Sequence, residues 1–223
     1  MVKIGILLSS YLILALAFSD ALGQHEVVWR EVDEGLNYAE YTSPMKSNYG
    51  DNLISILKVD PSIYHLDLFS AKEPGEQVRR ADEWARDKDL IAVFNAGMFL
   101  GDYSNAGYMR DYDFVNNASY NRDNAFAAFN PVDDSVPAFQ IVDRQCEDWE
   151  DLSSKYQSIS QSIRMVDCYG ANRWSLQPKM WSMVILAEDP HGNALFIFTR
   201  SPYRVHDFVN TLLETDLGIQ NAM

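Results

Sequence analysis

A turn of small and polar residues follows one of the apolar segments of the chain. Residues 91–94 are all apolar, and Asn95-Ala96-Gly97 comes directly after them. If the segment is a strand buried on both faces, Asn95 stands at its carboxyl end, and Gly97 permits a positive φ or the close approach of a ligand. The turn is then a candidate ligand site. The alternative is a turn that only redirects the chain.

Two further polar segments have residue types that suit anion or sugar binding. Arg200 follows an apolar strand segment and precedes a predicted helix start, a position from which a guanidinium can face a cleft and hold phosphate or carboxylate oxygens. The alternative is a surface arginine at a strand end. Gln161 and Ser162 begin a second segment, Gln-Ser-Ile-Arg-Met-Val, in the middle of the chain.

Several common chemistries are disfavoured by the motifs that the sequence lacks. The four histidines do not form an i, i+4 pair, which disfavours a helical zinc hydrolase site: His25, His65, His191 and His206. The sequence also contains no Gly-x-Ser-x-Gly elbow, no Walker loop and no Gly-x-Gly-x-x-Gly after a strand. We therefore expect no metal at the active site and no cofactor.

One acidic loop is the exception, because its oxygen-rich side chains suit calcium. Its carboxylates match no EF-hand spacing: Asp102, Asp111, Asp113 and Asp123. Calcium is a candidate ligand here, and a solvated acidic loop is the commoner alternative.

The elements that position these residues mix strands and helices without regular βαβ alternation. We predict a hairpin from strands 52–59 and 63–69, single strands at 91–94, 125–130 and 138–142, and a second hairpin from 182–187 and 194–199. Helices are predicted after Pro74-Gly75, over 149–163 and over 205–214, with a long loop at 100–122. This pattern favours an α+β fold, with largely antiparallel twisted sheets packed against about three helices.

Composition limits the class of partner. The chain has 223 residues, 47% of them hydrophobic, which suits one domain or one large domain missing a piece. Its formal net charge of -14 argues against nucleic acid, which binds clustered lysine and arginine. The sequence does not indicate an oligomeric state.

The first 23 residues are typical of a cleavable export signal. Lys3 precedes an apolar stretch at 4–18, and small residues end in Gly23. The stretch is short for a membrane span, and no basic stop-transfer cluster follows it. We expect a secreted or periplasmic domain at 24–223 with no membrane span after cleavage. Cys146 and Cys168 would then meet an oxidising compartment and can pair, although spacing alone also fits two separate thiols.

Five segments in this order resemble the phosphodiester glycosidase family, which includes the lysosomal uncovering enzyme and exported bacterial proteins often described as exopolysaccharide-related. They are LKVDPSIYHLDLFSA from Leu57, the helix leading into VFNAGMF from Val93, the Asn105-Ala106-Gly107-Tyr108 step, QSIRMV from Gln161, and the segment from Trp181 to Met223. The resemblance covers most of residues 52–223. Many family members have Asn-Gly-Gly where this chain has Asn95-Ala96-Gly97.

The resemblance implies hydrolysis of the bond between a sugar's anomeric carbon and a phosphodiester, in a phosphate-linked sugar or glycan. Arg200 would hold the phosphate and act with Asn95 as a catalytic residue. The backbone at Gly97 would bind sugar or phosphate oxygens. Tyr108, Gln161 and Ser162 would complete the substrate-binding cleft.

The resemblance also implies a departure at the carboxyl end. Family chains continue, after the equivalent of residues 217–222, into a strand and an acidic-Gly-Gly motif that contributes to the active site. We therefore expect the domain at 24–223 to be incomplete at its carboxyl end, with the last strand or strands of the fold missing. Two function classes stay open: an exported phosphodiester glycosidase, or a non-catalytic carbohydrate- or envelope-binding protein or inactive fragment.

Overall fold

Two antiparallel sheets and three short helices are seen in the computed structural model, which describes residues 25–223. The predicted signal at residues 1–23 lies outside the described residues. Sheet A has six strands in the order β1-β2-β3-β10-β9-β11, with bounds Arg30–Asp33, Leu36–Thr42, Leu53–Val59, Ala194–Arg204, Met180–Glu188 and Asn221–Ala222. Sheet B has the order β5-β4-β8-β6-β7, with bounds Phe114–Asn117, Met109–Asp111, Tyr156–Ser162, Ala125–Pro131 and Phe139–Asp143. The predicted α+β class is confirmed.

The helices are α1 (Ala81–Asp87), α2 (Trp149–Ser153) and α3 (Val205–Leu213). Helix α3 is amphipathic, and its buried residues pack on one face of sheet A. Among residues 25–223, no helix is long and apolar enough to cross a membrane.

The core has two main layers because sheet A is apolar on both faces. One face packs against α3, and the other packs against sheet B. Alternation along β10 shows the division: Ile197 belongs to the α3 layer, whereas Phe196 packs in the layer between the sheets. A smaller cluster, which includes Phe126 and Ile159, lies on the outer side of sheet B under α2.

The elements with strong local signals form as predicted. Strands β9 and β10 make the hairpin around 189–192, where Asp189 accepts hydrogen bonds from the backbone N–H groups of His191 and Asn193, both 2.9 Å. Strands β6 and β7 and helix α3 also match their predicted positions to within a residue or so. Turn chemistry and period were sufficient for these elements.

The predicted hairpin of 52–59 with 63–69 is wrong. Strand β3 forms, but it pairs with β2 and β10, and residues 63–69 form no strand. After the turn, the N–H groups of Ile63 and Tyr64 both bond back to the carbonyl of Asp60. The chain then leaves the sheet, and Leu66 and Leu68 pack into the layer between the sheets.

The predicted buried strand at 91–94 is also wrong. The segment is irregular, and Ile91 is 69% exposed. The segment is held at separate points instead of by a ladder: Leu90 N–H donates to Ala85 O over 2.8 Å, and the ring of Phe94 meets that of Phe196 edge-on at 5.0 Å. Asn95 therefore follows an irregular segment and does not stand at the end of a strand.

The predicted helix at 149–163 splits into α2 and strand β8. Trp149 and Leu152 lie on α2 while Tyr156 and Ile159 lie on β8, and all four meet in the same apolar cluster. Their spacing matched that of a helix because α2 packs against β8, and the apolar residues of both elements share one cluster. The predicted loop at 100–122 contains the short strands β4 and β5, of which β4 pairs with β8.

Candidate functional site

A cavity of about 1080 Å³ lies between the two sheets. Sheet A contributes residues such as Leu57, Val184 and Phe198, and sheet B contributes residues such as Ala127 and Phe129. The segment at 64–97 closes a third side. We call this space the inter-sheet cavity.

The Asn95-Ala96-Gly97 turn lines this cavity. Ser160 Oγ on β8 donates to the carbonyl of Ala96 over 2.8 Å. A Cβ added at Gly97 would lie 2.9 Å from Asn105 Oδ1, so the close approach of Asn105 requires glycine there, whereas its φ is not positive. Asn95, Ala96, Gly97, Asn105 and Ser160 together form what we call the polar corner of the cavity.

Asn105 stabilises the polar corner from below. It is 5% exposed, and its carboxamide N–H donates to the carbonyls of Gly107 and Gln161 over 3.2 and 3.1 Å. Its own carbonyl accepts from Asn117 Nδ2 over 2.9 Å. Because these donor groups are engaged within the protein, Asn105 positions the turn and presents its Oδ1 beside Gly97.

Gln161 has a structural role in this arrangement. Its side chain is 1% exposed; Oε1 accepts from the N–H groups of Tyr108 and Asn121, and Nε2 donates to the carbonyl of Asp123 over 2.7 Å. The predicted substrate-binding Gln161 therefore lies beneath the loop that follows the polar corner and does not line the cavity. Ser162 is half-buried at the end of β8, opposite Ala125.

Tyr108 also lies outside the cavity lining. Its ring stacks on that of Tyr120, with centroids 4.6 Å apart and planes 6° apart. Tyr120 in turn meets Phe126 and Trp149, and burial raises its pKa. Tyr108 thus joins the aromatic cluster on the outer side of sheet B.

Arg200 lies on β10, away from the polar corner. It is exposed and lines a second cavity of about 420 Å³ together with residues of the 49–51 loop. The register of β10 against β9 shifts between Thr199 and Tyr203, so Arg200 lies in the irregular part of the strand, beyond Phe196 and Phe198, which line the inter-sheet cavity. Arg200 and Asn95 therefore belong to different cavities.

The loop beside Arg200 is fixed by Ser201. The Ser201 hydroxyl accepts from the N–H groups of Asp51 and Asn52 over 3.1 and 3.2 Å. A Cβ at Gly50, whose φ is +97°, would clash with that hydroxyl at 2.2 Å. The hydrogen bond from Leu53 N–H comes first among the contacts that lower the pKa of Asp51, and the charge of Arg200 adds to it. An anionic ligand would compete with Asp51 for this guanidinium.

Two cations line the inter-sheet cavity that the sequence did not indicate as site residues. Arg79 and Lys88 both pair with Glu76, and these hydrogen bonds, from Lys88 first, lower the pKa of that carboxyl. The guanidinium of Arg79 also lies over the ring of Trp84, 4.5 Å from its centroid. The only sequence signal was a charged helix face, which is ordinarily solvated.

A His-Asp pair lies at another part of the wall, and a second carboxyl lies near it. His65 Nε2 is 3.2 Å from Asp67 Oδ1, and both residues line the inter-sheet cavity. Nearby, burial raises the pKa of Asp111, which accepts a hydrogen bond from Ser158, and the charge of Asp67 acts in the same direction. His65 and Asp67 are candidates for proton transfer in the cavity, a role that the predicted strand at 63–69 did not indicate.

Three of the four acidic residues of the predicted calcium loop have separate partners within residues 25–223. Asp102 pairs with Lys72 over 2.7 Å, and this hydrogen bond is the main cause of its low pKa. Asp111 bonds Ser158, whereas Asp123 bonds Asn121. Within residues 25–223 they do not converge on one point, so calcium binding here stays a prediction.

Cys146 and Cys168 are joined by a disulfide, with Cα atoms 6.5 Å apart. Asp143 lies beside it and accepts two hydrogen bonds from Arg164 Nη1, at 2.8 and 2.7 Å. The bridge connects the end of the β7 region to the segment that follows β8. Its sulfurs are consumed by the disulfide, so the group offers no thiolate ligands in this state.

Comparison with known proteins supports the fold. No known family profile matches the chain. No curated protein sequence matches it either. Among solved structures, a hypothetical protein from Synechocystis is 12% identical with a TM-score of 0.62, over 88% of this chain and 57% of that one. The catalytic domain of zebrafish N-acetylglucosamine-1-phosphodiester alpha-N-acetylglucosaminidase (NAGPA), auto-inhibited by its pro-peptide, is 11% identical with a TM-score of 0.58, over 88% of this chain and 67% of that one.

At these identities the likeness shows a shared fold alone. This chain is thus similar in fold to a phosphodiester glycosidase domain and spans little more than half of the Synechocystis protein. Activity, substrate and partners are taken up as proposals.

Proposed function

We propose that this protein hydrolyses the bond between the anomeric carbon of a sugar and a phosphodiester. The main support is that Asn95-Ala96-Gly97, the turn that resembles the family's Asn-Gly-Gly, lines the inter-sheet cavity of a fold shared with the NAGPA catalytic domain. The substrate class is a phosphate-linked sugar or glycan.

The chemistry requires anion stabilisation more than acid catalysis. A phosphodiester is already a good leaving group, so protonation of its oxygen matters less than in ordinary glycoside hydrolysis. A cation or N–H donor near the departing phosphate contributes more. Arg200 is our candidate for this role, because it is exposed and lines the second cavity.

Asn95 and the backbone at Gly97 are our candidates for binding sugar or phosphate oxygens. Asn95 is exposed in the cavity, and no hydrogen bond within residues 25–223 engages its side chain. By contrast, Gln161 is hydrogen-bonded within the protein, and its role is to position the loop that follows the polar corner. Asp67, paired with His65, is a candidate to activate water.

The test is release of free sugar from a nucleotide sugar such as UDP-N-acetylglucosamine by the purified protein. We expect Arg200→Ala and Asn95→Ala each to lower kcat/KM by at least tenfold, an order-of-magnitude effect for one lost charge-stabilising or orienting contact. Arg86→Ala is the matched control, since Arg86 is exposed on α1 and lines neither cavity. Undiminished turnover in Arg200→Ala would refute its role.

A non-catalytic sugar-binding function remains the second candidate, because the two predicted catalytic residues line different cavities. Saturable binding of the nucleotide sugar without sugar release would favour it. Sugar release that Asn95→Ala abolishes would exclude it.

We also propose that the protein acts outside the cytoplasm. Residues 1–23 have the features of an export signal, and a disulfide between Cys146 and Cys168 suits an oxidising compartment. Amino-terminal sequencing of the protein recovered from the periplasm or medium should begin near Gln24. Recovery of uncleaved chain would contradict the proposal.

A further inference from the structure

The lining of the inter-sheet cavity is more apolar than a sugar phosphate requires. Apolar side chains form its walls, including the half-buried Leu57, Phe94 and Phe196, and the almost wholly buried Phe129, Phe139 and Leu186 of the core also line it. A sugar or phosphate bound against such surface would lose water contacts without gaining hydrogen bonds. Polar groups are present at the polar corner, and His65, Asp67, Arg79 and Lys88 are further polar members of the lining.

The mouth of the cavity is also apolar and is exposed. Five lining side chains are large, hydrophobic and open to solvent: Val78 (55%), Ile91 (69%), Phe99 (61%), Tyr103 (52%) and Phe198 (44%). The rings of Phe99 and Tyr103 are stacked with centroids 6.4 Å apart. Contiguous exposed apolar surface of this kind ordinarily marks a binding site.

We propose that the inter-sheet cavity binds the apolar chain of an amphiphilic phosphodiester, so that the substrate is a sugar phosphate linked to a hydrocarbon chain; this rests on the proposed function. Three features point to a chain instead of a protein surface. The space is deep and lies between two sheets, its volume of about 1080 Å³ is at the upper end for ligand pockets, and one part of its lining is polar. The polar corner would hold the head group while the apolar walls hold the chain.

The two cations in the cavity wall extend its apolar lining. Arg79 and Lys88 both pair with Glu76, and Arg79 Nε also pairs with Asp87 over 3.1 Å. Their charges are therefore neutralised within the protein, while their apolar stems and the ring of Trp84 line the cavity. A wall of this kind suits a hydrocarbon chain and leaves the head group to the polar corner.

Binding of alkyl phosphates to the purified full chain tests the proposal without requiring turnover. Octyl phosphate and decyl phosphate would be titrated by calorimetry below their micellar concentrations. Each buried methylene strengthens binding about fourfold, so the dissociation constant should fall by up to about 15-fold from octyl to decyl phosphate. Equal dissociation constants would overturn the proposal.

Adjacent residues provide a matched pair of variants. Phe99 and Leu100 are both exposed, but only Phe99 lines the cavity. We expect Phe99→Ser to weaken decyl phosphate binding several-fold and Leu100→Ser to leave it unchanged. Ala92→Trp, at an exposed lining position, should block the mouth and remove the chain-length dependence. Equal effects of Phe99→Ser and Leu100→Ser would contradict the proposal.

The outcomes separate this inference from the proposed function. Chain-length-dependent binding with no sugar release from any sugar phosphodiester would support the cavity assignment and refute the enzyme. Hydrolysis of a nucleotide sugar, with alkyl phosphates binding independently of chain length, would support the enzyme and refute the cavity assignment. A dimer that Phe99→Ser dissociates would identify the mouth as an interface between two copies and overturn the lipid assignment.

Discussion

Glu188 makes the stability of this protein depend on pH in a direction unusual for a carboxylate. It ends β9 in sheet A, and its Oε2 accepts a hydrogen bond from Ile141 N–H in β7 of sheet B over 2.8 Å. Burial raises its pKa from 4.5 to about 7, and the charges of Glu147 and Asp189 act in the same direction. Glu188 thus links β9 of sheet A to β7, an edge strand of sheet B.

The sign follows from the proton balance. Below pH 4.5 both the folded and the unfolded chain hold the Glu188 proton, so the group has no effect on the pH slope there. Between pH 4.5 and about 7 the unfolded chain releases the proton while the folded chain keeps it, so the free energy of unfolding falls as pH rises. The full difference corresponds to about 3 kcal/mol lost above pH 7.

Glu188→Gln removes the titrating carboxyl and keeps an oxygen that can accept the hydrogen bond from Ile141 N–H. We expect the variant to match the wild type near pH 4.5 and to exceed it by about 3 kcal/mol near pH 8. Urea unfolding followed by tryptophan fluorescence over this pH range measures the difference. Glu150→Gln, at an exposed position on α2, serves as the control and should produce no slope.

A flat difference between Glu188→Gln and wild type across the pH range would refute the reasoning, because it would mean that burial does not disfavour the charged form. A slope of the opposite sign would mean that the hydrogen bond from Ile141 outweighs burial. Subtraction of the wild-type curve removes the contribution of the carboxyls shared by both proteins. Only the charge-coupled neighbours Glu147 and Asp189 then remain to be considered.

Three other predictions concern the frame of the site. Replacing Cys146 and Cys168 with serine should lower the free energy of unfolding by about 3 kcal/mol for a separation of 22 residues, and dithiothreitol should destabilise only the wild type. Gln161→Leu should cost about 2–4 kcal/mol in urea unfolding, because it leaves buried backbone groups unpaired, whereas Ser162→Ala should cost under about 1 kcal/mol. Gly97→Ala should cost about 1–3 kcal/mol and lower sugar release, since its Cβ would lie 2.9 Å from a carboxamide oxygen.

Elements defined by local chemistry could be predicted from the sequence. The β9–β10 hairpin has its turn fixed by Asp189, and α3 has an apolar face of helical period. Residues 149–163 show the limit: their spacing satisfied a helix, but β8 gains more by pairing with β4 and β6 in the middle of sheet B. Pairing between distant segments is not encoded in any one window.

Some residues of the candidate site could likewise be predicted from the sequence, and others could not. The Asn95-Ala96-Gly97 turn could be identified because residue types alone mark it, and it lines the inter-sheet cavity. The burial of Gln161 could not be predicted, since its hydrogen-bond partners lie 38–53 residues away in sequence. Arg79 and Lys88 were missed because they flank the short helix α1, where a cation ordinarily faces water.

The strand β10 connects the two cavities, and its length constrains any ligand that uses both. Phe196 lines the inter-sheet cavity and Arg200 lines the second cavity, four residues further along the strand. At about 3.3 Å per residue their Cα atoms are about 13 Å apart. A sugar phosphate that binds Arg200 would leave the apolar cavity empty, whereas an elongated phosphodiester can reach both. The single phosphate of octyl or decyl phosphate would lie in the polar corner, away from Arg200, so Arg200→Ala should leave both dissociation constants and their ratio unchanged, whereas Ala92→Trp should weaken decyl phosphate more. If Arg200→Ala changed the chain-length dependence, the two cavities would not act as separate parts of one site.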